Sequence, residues 1–374
     1  MNSNNKKKRL IFFLPVFCLG GASESIIKLS KFLIDQNFSV LLISIGKNAH
    51  REYLKKIGCD VHEIKTKKRA LFVIFTLRNL IKKEINKGYL QTILISNIHY
   101  ANLVSLISCI NLNKIKIILT ERSSLSELNI YDNFFRYLKN RLIFFLAKCF
   151  YRFADLVITN SKFEKDYIKK EFNIKHTKCI YPPSISKIKK NNKVKNKANN
   201  LKKIIYVGRL SKEKGVITIV KALSKIKDKC NFIFDIYGEG NEKINIKKFV
   251  KSNNLSKRVL FKGYYNDKNK IFKNADLFIN ASWFEGLPNA LVQSINHNVF
   301  PICSNSPGGN IEVIKYGKLG LSFKLNNILD LEKKILFSFQ KNLKINQLIK
   351  IKHLQNFTEK KSNSEYLKTL NEFK

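Results

Sequence analysis

Residues 204–215 have the sequence IIYVGRLSKEKG, a short apolar run followed by a glycine, an arginine and several lysines. The run 204–207 is β-branched and aromatic, which is typical of a buried strand. Small and polar residues then lead into a predicted helix. A strand that passes through a short loop into a helix is the start of a βαβ unit, and repeated units of this kind build a parallel sheet.

The same alternation runs along most of the chain. The predicted strands of the first half are 10–17, 40–45, 92–96, 116–119 and 156–159, between helices such as 24–35, 71–86 and 133–153. Those of the second half are 204–207, 232–236, 259–261, 277–280 and 300–303. Two such series predict an α/β fold with two Rossmann-like domains.

A Lys/Asn-rich segment separates the two series. Residues 186–203 hold eight Lys, five Asn and no acidic residue, so they cannot contribute a core. The expected organisation is an N-terminal domain at 1–185, a linker at 186–200 and a C-terminal domain at 201–357. The polar stretch 358–374 is expected to be a helix that crosses back to the N-terminal domain.

Length and composition exclude several classes of protein. The chain has 374 residues, of which 44% are apolar and 26% charged, so it is not a disordered protein. No apolar run near the N-terminus approaches the ~18 residues of a membrane-spanning helix. The seven cysteines are odd in number and form no C-x-x-C pair, which argues against a disulfide or metal framework and for a reducing compartment.

The net charge of +43 has two interpretations. Uniform enrichment in Lys, Asn and Ile is what A/T-rich codons produce, whereas a nucleic-acid reader would use more Arg. Nucleic acid is therefore not an expected partner. Attraction to an anionic membrane is the second interpretation. The helix 133–153, with basic residues beside apolar ones, fits either membrane contact or packing on the sheet.

Arg209 and Lys214 follow the strand at 204–207. Open α/β sheets bind ligands at the carboxyl ends of their strands, and two cations at a strand–loop–helix junction suit a diphosphate. Two solvated charges in a Lys-rich protein are the alternative.

Three further motifs follow predicted strands. Gly20-Gly21 follows the first strand, and small residues at a helix start allow close approach of an anion, although a tight turn is equally consistent. Glu285 lies in a turn after the strand at 277–280, before a helix predicted at 288–296 with Pro288 at its first position. A small-residue loop follows the strand at 300–303.

Together these motifs resemble the GT-B glycosyltransferases of family 4, which have two Rossmann-like domains facing each other across a cleft. The matching segments are Gly208-Arg209-Leu210 with Lys214-Gly215, Glu285-Gly286-Leu287-Pro288, and Gly308-Gly309 with Glu312-Val313-Ile314. The resemblance implies a retaining enzyme that moves a sugar from a nucleotide-diphosphate sugar to a glycan or lipid-linked acceptor, with no metal or other cofactor. Relatives make bacterial surface polysaccharides such as lipopolysaccharide, O-antigen or capsule. A cytoplasmic enzyme, peripheral on the inner membrane face, is therefore expected.

The resemblance also implies a role for each matched position. Arg209 and Lys214 would neutralise the departing diphosphate, and Glu285 would contact the donor sugar. The expected donor-binding positions are Gly20, Gly21, Gly208, Gly286, Leu287, Pro288, Asn289, Gln293, Gly308, Gly309 and Glu312. Gln293 stands where the family has a second Glu that accepts hydrogen bonds from the ribose. A neutral amide forms a bond of about 0.5–1.5 kcal/mol instead of about 1.5–3 kcal/mol, which predicts weaker donor binding or a changed nucleotide preference.

In the first half, His99 is the expected catalytic residue, because several relatives place a polar residue here facing the sugar. A lone His at a strand end is as often a structural residue. Glu121 and Arg122 follow the fifth strand and are expected on the acceptor side.

Two other functions are considered. A GT-B nucleotide-sugar epimerase would share the fold, but the Glu-Gly-Leu-Pro and Gly-Arg-Leu-Ser segments belong to the transferases. A non-enzymatic basic protein that binds an anionic polymer or membrane would cluster Arg and aromatic residues on one face, whereas Lys is spread evenly here.

Overall fold

A computed structural model describes residues 7–17, 21–66, 70–129, 133–189, 201–264, 267–273 and 275–373. The chain divides into two compact units. Unit 1 comprises Met1–Pro182 and Ser362–Lys374, and unit 2 comprises Pro183–Lys361. Most of the linker predicted at 186–200 lies outside the described residues. None of the helices in the described ranges is long and apolar enough to cross a bilayer.

The sheet of unit 1 is parallel in every described strand pair and has the order β3-β2-β1-β4-β5-β6-β7. Its strands are β1 (Arg9–Phe13), β2 (Ser39–Ile45), β3 (Asp60–Ile64), β4 (Thr92–Asn97), β5 (Ile115–Glu121), β6 (Leu156–Thr159) and β7 (Thr177–Cys179). The helices before unit 2 are α1 (Gly21–Asp35), α2 (Arg51–Lys56), α3 (Ala70–Ile85), α4 (His99–Ser108), α5 (Phe134–Phe150) and α6 (Lys162–Glu171). Strand β1 is wholly buried because helices cover both faces of the sheet.

The sheet of unit 2 is also parallel, with the order β10-β9-β8-β11-β12-β13. Its strands are β8 (Lys202–Val207), β9 (Phe232–Tyr237), β10 (Val259–Gly263), β11 (Leu277–Asn280), β12 (Phe300–Asn305) and β13 (Leu321–Lys324). The helices are α7 (Val216–Ile226), α8 (Lys243–Ser252), α9 (Lys268–Phe272), α10 (Asn289–Asn296), α11 (Asn310–Val313), α12 (Ile328–Gln340) and α13 (Gln347–Leu354). Two parallel sheets covered by helices confirm the predicted α/β class with two Rossmann-like folds.

The last helix, α14 (Glu359–Glu372), begins in unit 2 and ends in unit 1. Tyr366 and Leu370 of α14 are buried in the same apolar cluster as Leu10 of β1 and Ile26 of α1. The Lys8 ammonium donates to the carbonyl oxygen of Leu370 at 3.0 Å. The two ends of the chain therefore complete one core.

Several boundaries of strands and helices differ from the predicted ones. The first strand ends at Phe13 rather than Phe17, because Pro15 has no N–H to donate to a neighbouring strand. Helix α10 begins at Asn289, with Pro288 in the position before the first turn rather than inside it.

Arg9, the first residue of β1, is a buried cation that contacts β2, β3 and α3. Its Nε lies 2.7 Å from Glu84 on α3, and its Nη2 lies 2.7 Å from Asp60 on β3. Its Nη1 also donates to Ser39 at 2.7 Å. Arg9 is 1% exposed and Glu84 7% exposed. Lys87 also pairs with Glu84, at 2.6 Å from Oε1, so removing Arg9 leaves the buried Glu84 carboxylate with one of these two cations.

We predict that Arg9→Met lowers the free energy of unfolding by about 1–3 kcal/mol, because Oε2 of the buried Glu84 loses its charged donor while Lys87 still pairs with Oε1. Urea unfolding followed by circular dichroism measures the change. Adding Glu84→Leu to Arg9→Met should recover most of the loss. An unchanged unfolding midpoint in Arg9→Met would show that the buried pair does not contribute.

Candidate functional site

The carboxyl edge of the unit 2 sheet carries a Lys–Glu pair. Lys214, after β8, places its Nζ 2.7 Å from Oε1 of Glu285, after β11. Ser282 Oγ donates to the same carboxylate oxygen at 2.7 Å. Both members of the pair are less than one-fifth exposed, so the contact is partly shielded from water. Two of the predicted site residues thus meet although 71 positions separate them.

The loop that carries Lys214 differs slightly from the prediction. Lys214 ends a short 3₁₀ turn, and α7 begins only after Gly215, whose φ is +63°. A Cβ at Gly215 would lie 2.2 Å from the carbonyl oxygen of Ala281. Glycine therefore lets the loop after β8 touch the backbone that follows β11, which brings Lys214 within reach of Glu285.

The glycine pair after β12 holds the turn that contains Glu285. Gly308 has a φ of +110°, and a Cβ there would lie 1.5 Å from the carbonyl oxygen of Glu285. The Glu285 N–H donates to Pro307 O at 3.1 Å, and the Gly309 N–H donates to Gly286 O at 3.0 Å. Any side chain at position 308 would displace this turn.

Arg209 projects from a loop with a fixed backbone. The N–H of Gly208 donates to Tyr237 O at 3.0 Å, and the N–H of Leu210 donates to Glu239 O at 2.9 Å. The Arg209 side chain is 77% exposed and lies 3.7 Å from the carboxylate of Glu213. It is a cation at the same edge of the sheet as Lys214, and most of its surface is available to a ligand.

Helix α10 follows the Glu285 turn, and chain segment 184–187 lies against it. Gln293 is buried rather than exposed, and its Nε2 donates to the carbonyl oxygen of Ser184 at 3.0 Å. Ser184 Oγ donates to Asn289 Oδ1 at 2.6 Å, and Asn296 Nδ2 donates to Lys187 O at 3.1 Å. A carboxylate at position 293 could not make the bond to Ser184, because it has no hydrogen to donate.

The other predicted donor-side residues divide between the two units, and those of unit 2 lie at the same edge as Lys214. Gly286, Leu287 and Pro288 are buried in the turn. Glu312 is buried in the four-residue helix α11. Gly21 is the first residue of α1 in unit 1, and Gly20 lies outside the described residues.

Sequence reasoning missed a buried polar cluster beside this edge. Asn310 Nδ2 donates to the carbonyl oxygen of Ser304 at 3.1 Å and to Ser306 Oγ at 2.9 Å. The signal was present as three small polar residues within seven positions after a buried strand. The cluster gives the loop after β12 a fixed shape.

In unit 1, His99 is the first residue of α4 and lies between two carboxylates. Its Nδ1 is 2.5 Å from Glu121 Oε2, and its Nε2 is 3.1 Å from Glu127 Oε1. The preceding residue, Ile98, has a φ of +80°, an uncommon conformation for a β-branched residue. Such strain is maintained only where the surrounding structure fixes the backbone.

The surroundings of His99 favour its charged form. Burial lowers the pKa of His99, but the charges and hydrogen bonds of Glu121 and Glu127 outweigh burial and raise it to about 10. The Glu121 carboxylate also accepts hydrogen bonds from the Tyr151 hydroxyl and, at 2.8 Å, from Asn102 Nδ2. At neutral pH the ring is therefore an imidazolium. Sequence reasoning missed Glu127 and Tyr151, which are distant in the sequence from the strand end that signals His99.

Glu121 and Arg122, both expected on the acceptor side, differ from each other in exposure. Glu121 is 1% exposed and is surrounded by side chains of its own unit, so it has almost no surface for an acceptor. It is the last residue of β5, and its side chain points into unit 1 toward α4 and Tyr151. Arg122 is half-buried and donates from Nε to Asn97 Oδ1 at 2.9 Å, and burial lowers the pKa of its guanidinium.

Within the described ranges, no three or more His, Cys, Asp or Glu side chains are grouped so that they could hold a metal ion.

Comparisons with known proteins match both halves of the chain. Residues 187–355 match the family model described as glycosyl transferases group 1, and residues 19–183 match that of Glycosyltransferase Family 4. A relative from Campylobacter jejuni, N-acetylgalactosamine-N,N'-diacetylbacillosaminyl-diphospho-undecaprenol 4-alpha-N-acetylgalactosaminyltransferase, is 28% identical over 60% of this chain and 61% of its own length. The matches to this relative and two other curated glycosyltransferases span 55% to 62% of the length of those proteins.

Solved structures share the fold of the whole chain. A glycosyltransferase from Rickettsia africae has a TM-score of 0.77 at 19% identity and covers 98% of both chains. HepE from Anabaena, solved in complex with UDP, has a TM-score of 0.75 at 18% identity, covering 98% of this chain and 100% of its own. The two family models together span most of the chain, and the fold agrees with them from end to end. The chain therefore belongs to glycosyltransferase family 4, the group 1 glycosyl transferases of GT-B fold.

Proposed function

We propose that this protein transfers a sugar from a nucleoside-diphosphate sugar to a glycan or lipid-linked acceptor, with retention of configuration at the sugar. The observation that carries the proposal is the meeting of Lys214 and Glu285 beside the exposed Arg209 at one sheet edge. HepE binds UDP, and the Campylobacter relative is named for a diphospho-undecaprenol acceptor, which supports both substrate classes.

In this proposal, the chemistry needs cations where the diphosphate leaves. Negative charge grows on the diphosphate as the bond to the sugar breaks, and preorganised cations stabilise that charge. Arg209 and Lys214 supply them, so the proposal requires no metal ion. The diphosphate competes with Glu285 for the Lys214 ammonium. When the diphosphate has replaced Glu285 at the Lys214 ammonium, the Glu285 carboxylate can accept hydrogen bonds from the donor sugar.

The proposed catalytic residue of unit 1 is His99. As an imidazolium it donates hydrogen bonds and cannot act as a base. Glu127 is 29% exposed at its side chain, so a substrate hydroxyl can replace it at Nε2. Glu121 is buried on the other side of the ring, and we place it as a positioning residue that acts through His99. Arg122 stays the proposed acceptor-side cation.

Gln293 has two partners in this proposal. Its Nε2 holds the Ser184 carbonyl, and its Oε1 is the proposed acceptor for a ribose hydroxyl. The Gln293 amide thus donates to the Ser184 carbonyl, which a Glu carboxylate cannot do. Its oxygen is still able to accept a hydrogen bond from the nucleotide.

The names of relatives support a place in surface polysaccharide synthesis, and we propose that the protein acts at the inner face of the cytoplasmic membrane. Those matched include the undecaprenol-linked transferase above and a capsular polysaccharide biosynthesis glycosyltransferase from Staphylococcus aureus, 26% identical over 83% of this chain. An epimerase is the alternative enzyme, and it would not need an acceptor to act.

The proposed activity is tested with UDP-N-acetylgalactosamine and an undecaprenyl-diphosphate-linked sugar, by measuring UDP release with and without the acceptor. Release that depends on the acceptor supports transfer, whereas conversion of the nucleotide sugar without acceptor favours the epimerase. Lys214→Ala and Arg209→Ala should each slow transfer by about 10²–10³-fold, because each removes a cation from the developing anion.

Lys229→Ala is the matched control for these variants, since Lys229 forms a 2.8 Å pair with Glu332 elsewhere in unit 2. It should transfer at the wild-type rate. If Lys214→Ala keeps the wild-type rate as well, the proposed role of the Lys214–Glu285 pair is wrong.

We predict that Gln293→Glu lowers the free energy of unfolding by about 1–3 kcal/mol, because the buried Ser184 carbonyl loses the hydrogen bond from the Gln293 amide and faces a carboxylate. Thermal unfolding without ligand measures the change. Asn289→Asp is the matched control, because Asn289 already uses an oxygen to accept from Ser184 Oγ and the Asp keeps that acceptor. Wild-type stability in Gln293→Glu would show that the amide does not donate to Ser184.

The raised pKa of His99 predicts a pH dependence of stability. Because the folded pKa of about 10 lies above the ordinary 6.5, the contribution of His99 is complete below pH 6.5 and is lost as the pH rises through 10. The difference in unfolding free energy between the wild type and His99→Gln, measured by urea unfolding across this range, should fall accordingly. A constant difference would contradict the buried imidazolium.

A further inference from the structure

Helix α5 exposes an apolar stripe. Of its 17 residues only Ala147 is buried. Five large apolar side chains are between 56% and 79% exposed: Phe134, Phe135, Leu138, Leu142 and Phe145. Large apolar side chains grouped on one exposed helix are typical of an interaction surface, whereas single exposed apolar residues are ordinary.

The stripe is continuous on the helix. At 3.6 residues per turn, these five side chains fall within an arc of about 100°, on the side opposite Ala147. Exposed cations border the arc, with Lys139 on one side and Arg141 and Lys148 on the other. This arrangement is typical of a helix that lies in the interface of a membrane.

Helix α3 exposes a second apolar patch. Its side chains Leu71, Phe72 and Phe75 are between 50% and 71% exposed, whereas Val73 and Leu77 are buried in the core. The C-terminal half of its outer face is basic, with Lys82 and Lys83 exposed.

The two helices flank α4 on the same face of the sheet. Val104 of α4 shares an apolar cluster with α3, and Leu103 of α4 shares one with α5. In a parallel sheet, each of these helices starts near the carboxyl edge that its preceding strand reaches. The N-terminal ends of α3 and α5, where Phe72 and Phe134 are exposed, therefore lie at the edge of unit 1 where His99 begins α4.

The charge of this face is of one sign. Residues 70–83 contain three basic and no acidic residues, and residues 133–153 contain five basic and none acidic. These 35 residues hold four of the ten arginines in the chain. A codon bias toward Lys does not account for clustered Arg. Phosphate headgroups are the complementary partner, because arginine and lysine both pair with phosphate.

We infer that the outer faces of α3 and α5 form a docking surface for an anionic lipid bilayer. The apolar side chains enter the acyl boundary and the bordering cations bind headgroups. The inference rests on the proposed function, since a lipid-linked acceptor lies in the bilayer and this surface brings it to the edge that carries His99. A second copy of the chain is the less suitable occupant, because each copy carries a net charge of +43.

The test is co-sedimentation of the full chain with vesicles of phosphatidylcholine alone or with one-third phosphatidylglycerol, at low and high salt. We expect binding to the phosphatidylglycerol vesicles that weakens with salt. Phe135→Ser combined with Phe145→Ser should lower the partition coefficient about tenfold or more, because two exposed rings no longer enter the bilayer. The matched control, Ile244→Ser with Leu348→Ser, removes two exposed apolar side chains of unit 2 and should bind as the wild type.

Thermal stabilisation by UDP, measured without vesicles, checks that each variant is folded and tests the proposed donor site separately. If the wild type binds UDP but does not sediment with anionic vesicles, the docking inference is wrong and the proposed function stands. Equal binding by the Phe135/Phe145 variant would also overturn it. A mass in sedimentation equilibrium that doubles for the wild type and not for this variant would instead assign the face to a second copy.

Discussion

The close approach of three backbone segments at the carboxyl edge of the unit 2 sheet determines the geometry of the candidate donor site. Gly215 lies against Ala281 O, and Gly308 lies against Glu285 O, each at a distance that excludes a Cβ. These two contacts bring the loops after β8, β11 and β12 together. Lys214 and Glu285 can then pair, because neither loop is free to move away. The charge arrangement is thus a consequence of backbone packing.

Unit 1 holds its ionisable groups in a different way. There His99 and Glu121 are buried, and each has several partners. His99 lies between Glu121 and Glu127, and Glu121 in turn accepts from Tyr151 and Asn102. Such a network fixes the orientation of an imidazolium, whereas Arg209 of unit 2 is largely exposed and has a longer, 3.7 Å ion pair with Glu213. The proposed catalytic residue His99 is buried among its partners, and Arg209, the proposed binder of the diphosphate, is 77% exposed.

Much of this arrangement could be predicted from the sequence, because parallel strands are nearly continuous apolar runs and the motifs follow them. The strands β3, β7 and β13 were not predicted. The sequence of β3 is DVHEI, which is half polar because an edge strand has less of its surface covered. Pairings between distant positions were also beyond prediction. Nothing at Glu121 signals that it is buried against His99, and nothing at Gln293 signals Ser184, since both contacts depend on the tertiary fold.

The return of α14 to unit 1 has a consequence for the order in which the chain folds during synthesis. Residues 183–361 form a compact unit whose own core is complete once residue 361 has left the ribosome. Unit 1 begins earlier but still lacks Tyr366 and Leu370, which cover the cluster around Leu10 and Ile26. The apolar face of the N-terminal sheet around Leu10 and Ile26 is therefore still uncovered when unit 2 has its complete core. In a cell, the segment made first is the one that needs protection from aggregation for longest.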